Sequence, residues 1–280
     1  YTDGLREFGV RAVFNAANLL DPSIANGADS VEIDEVPMRK FTGNIGYASP
    51  TGLIVRLHLT DAPHSQSSLF EDSTFWNNDA GIRLPYSQQI ILRNLNIVRS
   101  PADLDTTGVT GNADSKDIVY DNLTISGYYT GINVARRGYS IVNGGSFTTQ
   151  RAIGVLTASG NNRTVVVQGP ITFNSTPFNV PWMYEIDMRF NASAGNEGIA
   201  GIFNSSTVTL NYGSYTNRKV YFYEQHPSTI VFPEPADGVP SSYVGLSSLQ
   251  LLGLTGLPIV GEFAPLNSVT NERINGLLAP

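Results

Sequence analysis

Residues 63–75 read PHSQSSLFEDSTF and residues 85–97 read PYSQQIILRNLNI, one pattern returning after 22 positions. Pro63, Ser65 and Gln66 recur as Pro85, Ser87 and Gln88, and apolar Leu69, Phe70 and Phe75 recur as Ile91, Leu92 and Ile97. Two further copies follow, ADSKDIVYDNLTI at 113–125 and ARRGYSIVNGGSF at 135–147, and a looser one, NNRTVVVQGPITF, at 161–173. A fixed period in this range marks a stacked array whose units bury their apolar faces only against their neighbours.

Each unit carries two short β-branched runs, such as Ile90–Leu92 and Leu95–Ile97, separated by a polar kink. A third run follows a glycine: Gly81-Ile82-Arg83-Leu84, Gly108-Val109-Thr110, Gly131-Ile132-Asn133-Val134, Gly154-Val155-Leu156-Thr157. Short alternating runs punctuated by Gly and Asn are strands. A leucine-rich repeat would need a helical or more Leu-dense segment in each unit. An antiparallel sandwich also spaces short strands regularly, but needs no such register. The pattern predicts an all-β, right-handed parallel β-helix with three strands per coil of about 22 residues.

This register predicts side-chain columns. Phe75, Ile97, Ile125, Phe147 and Phe173 form an internal apolar column, with coils about 4.8 Å apart. Asp72, Asn94, Asn122 and Gly144 share the kink, where Asn tolerates left-handed backbone and can build a buried side-chain ladder. Sequons start at Asn122, Asn162, Asn174, Asn191 and Asn204, several of them where a ladder or turn itself wants Asn.

Regular coils are expected over about 52–175 and irregular coils over 176–235, together a β-helix spanning 1–235, with 236–280 as a C-terminal cap or linker. Residues Leu5 to Leu20 read as a helix ended by Asp21-Pro22, or equally as an early irregular coil. The net charge of −7 argues against nucleic acid as a partner. No run of 18 apolar residues exists, so no membrane span is expected. The chain has no cysteine, which removes disulfides and thiolate chemistry. It begins at Tyr1 without an initiator Met and reads as a processed or excised piece of a longer chain with flanking domains.

The segment HLTDAPHSQSSLFEDSTFWNNDAGIRLPYSQQIILRNLNIV at 58–98 resembles the parallel β-helix region of very large secreted bacterial proteins with a glycine-rich β-domain. A distant likeness extends to the animal cell-surface hyaluronidases of the cell-migration-inducing type. YFYEQHPSTIVFPEP followed by YVGLSSLQLLGLTGLPIVGEFAP is similar to the piece that closes the helix in the bacterial members. The resemblance implies a secreted or cell-surface module that meets polysaccharide or extracellular matrix. No catalytic residue of the animal enzymes maps onto a position of this chain.

β-Helices that act on polysaccharides present polar groups from successive coils along an outer groove. One outward column is Glu71, Arg93, Asp121 and Asn143; a chemically richer one is His64, Tyr86, Asp114 and Arg136, beside Gln66, Gln88 and Lys116. In the second, Tyr86 would stack on a sugar ring and Arg136 would pair with a uronate, extended by Arg83 and the loop bearing Asp103 and Asp105. His64 and Asp114 are its candidate catalytic proton-transfer groups. A solvated turn column, with alternating charges that avoid repulsion between coils, accounts for such columns without a site and is the favoured reading.

Known catalytic signatures are mostly missing. No Gly-His-Gly turn accompanies clustered aspartates, as a polygalacturonase-like site would require. Arg99-Ser100-Pro101 with Asp103 and Asp105 is the nearest approach to a pectate-lyase-like arginine and calcium cluster, and no cofactor is required. Asp72 and Asp79 are a candidate acid/base pair, except that Asp72 falls in the ladder. His58 and His64 flanking Asp61 offer loop imidazoles for a metal, without the spacing of a known site; His226 reads as a packed or surface imidazole. Trp76, Tyr86, Tyr128, Tyr129 and Trp182 are candidate stacking platforms. Two function classes follow: a non-catalytic scaffold that binds glycans or matrix, which the missing signatures favour, and a polysaccharide lyase or glycoside hydrolase.

Overall fold

Runs of three to six residues with every second side chain apolar can bury that face only by stacking on copies of themselves, and the chain does so. The computed structural model describes residues 13–156 except 61, 102–105, 112–114 and 136, then 163–174, 177, 184–191, 199–203, 208–211 and 219–225. An antiparallel pair, β1 (Val13–Asn15) and β2 (Ser30–Glu32), precedes the stack. The first coil holds β3 (Phe41–Thr42), β4 (Ile45–Tyr47) and β5 (Thr51–Ile54). The second holds β6 (Ser68–Glu71), β7 (Thr74–Trp76) and β8 (Ala80–Arg83), and the third β9 (Gln88–Arg93), β10 (Asn96–Val98) and β11 (Thr107–Thr110). In the next three coils the first two strands fuse. These coils are β12 (Lys116–Ser126) with β13 (Thr130–Asn133), β14 (Gly138–Thr148) with β15 (Arg151–Leu156), and β16 (Arg163–Asn174) with β17 (Tyr184–Asn191). Then come β18 (Ile199–Phe203), β19 (Val208–Asn211) and β20 (Lys219–Gln225).

Every strand from β3 onward pairs in parallel with its counterparts in adjacent coils. The third strands make a seven-stranded sheet from β5 to β20, one strand per coil, and the first and second strands join in an eleven-stranded sheet. The fold is an all-β parallel solenoid with irregular flanks, as the repeat predicts. It begins at Phe41, two strands before the one that holds residue 52, and strands continue in the same sheets through Gln225. The tail at 236–280 lies outside the described residues.

The internal column is in place. Phe75 pairs with Ile97, Ile97 with Ile125, Ile125 with Phe147 and Phe147 with Phe173, and all five are buried. Phe147 and Phe173 stack with centroids 5.9 Å apart. Opposite this column the third strands come very close. A Cβ on Gly81 would lie 2.4 Å from Ile97 Cγ2 and 2.5 Å from the Gly108 carbonyl oxygen. Glycine is needed there to let β8 approach the core.

The kink residues Gly43, Asp72, Asn94, Asn122 and Gly144 all have left-handed backbone, with φ between 50° and 68°. Asn122 Nδ2 donates to Asn94 Oδ1 at 3.0 Å and Asn94 Nδ2 to Asp72 Oδ1 at 3.2 Å, so the ladder exists. It lies on the solvent side, however, with all three side chains exposed. The expectation of buried ladder bonds is corrected: the left-handed turn directs these side chains outward, away from the core column.

The described part of the expected Leu5–Leu20 helix is not helical. Val13–Asn15 is a strand and Ala16–Asn18 a single 3-10 turn, opened by Asn15, whose side chain accepts the Ala17 N–H at 2.9 Å. Asp21 caps a second such turn with Pro22 at its start. Short capping side chains satisfy the backbone locally, and pairing with β2 supplies the remaining bonds.

Candidate functional site

The segment 55–67, between β5 and β6, is longer than its counterpart between β8 and β9, and it decides what lines the predicted groove. Leu57 N–H donates to the Pro85 carbonyl, His58 N–H to Ser87 Oγ, and Gln88 N–H to the His58 carbonyl, each within 3.1 Å. Leu57–His58 therefore stacks on Pro85–Gln88. Pro63–Gln66, the stretch whose sequence matches, turns toward the N-terminal segment. The Asn26 amide donates to the Pro63 carbonyl and the Gln66 amide to Ser23 Oγ.

His64 is buried there, not on an outer face. Its Nε2 donates to the Glu35 carbonyl at 2.7 Å and its Nδ1 accepts the Gln66 N–H at 3.1 Å, which commits both ring nitrogens. His58 is buried with Nε2 2.6 Å from Ser68 Oγ, and that hydroxyl also accepts the Met38 N–H. Burial pushes the His58 pKa down to about 4, against the partial pull of the Asp34 carboxylate and with a small further push from His64. Ser68 is fully buried, so this serine–histidine contact does not face a polymer.

Arg83 and Tyr86 flank the Leu84-Pro85 corner and are both exposed. Asp114, Arg136, Asp103 and Asp105 lie outside the described residues, as do Asp61, Trp182 and His226. The first polar column is cross-linked: Arg93 Nε pairs with Asp121 Oδ2 at 2.9 Å, and Asn143 Nδ2 donates to Asp121 Oδ1 at 2.8 Å. Arg99 is a strut, donating to the Asn78 carbonyl and to Asp79 Oδ1 at 2.9 Å. With Asp72 in the ladder and Asp79 on Arg99, the candidate acid/base pair is engaged elsewhere. Among the described residues, no group of three or more His, Cys, Asp or Glu is placed to hold a metal ion.

The aromatic candidates separate. Tyr128 is fully buried, its hydroxyl donates to the Asn78 carbonyl, and desolvation pushes its pKa up to about 12. Tyr129 has the Arg151 guanidinium 5.8 Å above its ring. Trp76 is 53% exposed and lies beside Tyr47, 64% exposed, with ring centroids 6.4 Å apart and planes inclined at 34°. Sequence reading missed Tyr47. Its signal was the alternation Ile45-Gly46-Tyr47, which matches Thr74-Phe75-Trp76 at an offset of 29 rather than 22.

No helix among the described residues is long and apolar enough to cross a membrane. No curated protein and no solved structure matches the chain. One family does match, over residues 12–168, more than half of the chain and including its first five coils. With that span and the parallel stack of coils it covers, the chain belongs to the family described as periplasmic copper-binding protein (NosD).

Proposed function

We propose that the chain is a rigid, non-catalytic β-helical module that binds glycans outside the cytoplasm, as part of a larger secreted or surface protein. The observation that carries this reading is the use of its charged side chains. Arg93, Asp121, Arg99 and Asp79 tie coil to coil, and they form no convergent acid/base pair. The family's description names the periplasm, which supports a place outside the cytoplasm. The copper that it also names finds no matching donor set among the described residues. The chain has no cysteine, both His64 nitrogens are hydrogen-bonded, and buried His58 is held by Ser68.

The proposed contact is the exposed corner carrying Tyr86 and Arg83, completed by Arg136, Asp114 and the Asp103–Asp105 loop. Tyr86 offers a ring face and the guanidinium groups offer charge for a uronate. The test is retention on polyuronate gels of the parent and of a Tyr86→Ala, Arg136→Ala double variant. The reading expects salt-sensitive retention of the parent and none of the variant, at unchanged thermal stability. Equal retention of both would remove this corner from the account.

A further inference from the structure

The outer face of the second strands differs in charge from the adjoining face of the first strands. Its residues alternate with the buried Phe75–Phe173 column and form two outward columns about 7 Å apart. One runs Thr74, Asn96, Thr124 and Ser146 in register; the other begins with Tyr47 and Trp76 and continues to Val98 and Ser126. Neither column contains a charged residue, whereas the neighbouring column on the first strands is Glu71, Arg93 and Asp121. Ile45, 73% exposed, adjoins the aromatic pair. Two large rings and an isoleucine left in water on adjacent coils make an apolar patch of the kind that marks an interaction site.

From this geometry we infer a second glycan-contact face, for an extended, uncharged polysaccharide lying along the solenoid axis. A sugar ring has an apolar C–H face and a rim of hydroxyls. Tyr47 and Trp76 supply rigid amphipathic ring faces for the first. Asn96, Thr124 and Ser146 supply neutral donors and acceptors for the second, repeating at the strand spacing, close to the rise of one sugar residue in an extended chain. The lack of charge selects the occupant. A uronate or sulfated chain laid here would give up hydration around its charges with no cation in either column to replace it. An acidic ligand belongs to the Tyr86 corner and a neutral one to this face.

The experiment uses the whole chain with Trp182→Phe, which leaves Trp76 as the only tryptophan. It is titrated with a soluble uncharged β-linked glucan and with a polyuronate, at low and high salt. The expected result is a change in Trp76 fluorescence with the neutral glucan alone, insensitive to salt. Tyr47→Ala with Trp76→Ala, followed by affinity electrophoresis, should weaken neutral binding roughly tenfold or more. Thr124→Glu, exposed and remote from the rings, should weaken it as well, and Tyr86→Ala should not. Circular dichroism melting of each variant verifies the fold. The inference is overturned if no neutral glucan binds, if Tyr47→Ala and Trp76→Ala leave binding unchanged, or if only polyuronate binds. Loss of the Trp76 signal through concentration-dependent self-association would overturn it too, by assigning the patch to a protein partner. Because the Tyr86 corner is read separately, failure here leaves the polyuronate result standing, and the reverse holds equally.

Discussion

His58 shows how much one enclosed side chain sets conditions for the fold. Burial is the main cause of its low pKa, with Asp34 opposing and His64 assisting. Its folded value, about 4, lies below the ordinary 6.5, so the stability it contributes is complete above pH 6.5 and is lost as pH falls through 4. Chemical denaturation at pH 7 and pH 4.5 should show a loss of up to roughly 3 kcal/mol, and His58→Gln should flatten that slope. At the exposed ladder the backbone outweighs the amide bonds. Asn94→Ala should cost about 1 kcal/mol because Ala lacks the short polar side chain that lets Asn adopt left-handed φ, while Asn94→Gly should retain near-parent stability. Equal losses in both would assign the energy to the hydrogen bonds instead. Asn94 was legible as a ladder residue because its spacing from Asp72 and Asn122 follows the coils. Its exposure was not, because a repeat fixes register but not which side of a turn faces water. His64 was misplaced for a related reason: a local match of Pro, Ser and Gln does not reveal that Leu57–His58 takes the stacked position.

At the scale of elements, the glycine that opens each third strand has a packing cause. Gly81 faces Ile97 Cγ2 and a backbone carbonyl, neither of which can withdraw without moving a strand. Gly81→Ala should therefore destabilise by roughly 1–3 kcal/mol, measured by urea midpoint at constant m. A neutral substitution would mean that the β8–β10 approach is looser than described. Sequence alone showed a glycine before each third run, but Ala152, not Gly154, continues the position, since Gly131 is backed by the Ala152 carbonyl. The apolar spacing of Val10, Val13 and Phe14 suggested a helix. Three apolar residues cannot separate a helical period from strand alternation, and the deciding contact, Phe14 with Val31, is remote in sequence.

Over the whole molecule, the strands of each coil pair only with those of its neighbours, so the outer faces of the solenoid vary independently of its core. The core was legible because Phe75, Ile97 and Ile125 keep their register although their spacing changes from 22 to 28. The first two strands of the first coil were hidden because they sit 29 residues from their counterparts in the second. The faces were less legible, since an outward Thr, Asn or Trp leaves no periodic constraint on the fold. This independence allows a scaffold that binds polysaccharide without cutting it. The direct test incubates the parent chain with polyuronate and with uncharged glucan, and follows retention and polymer length in the same samples. The account predicts retention with unchanged chain length and no new reducing or unsaturated ends; shortening of either polymer would contradict it.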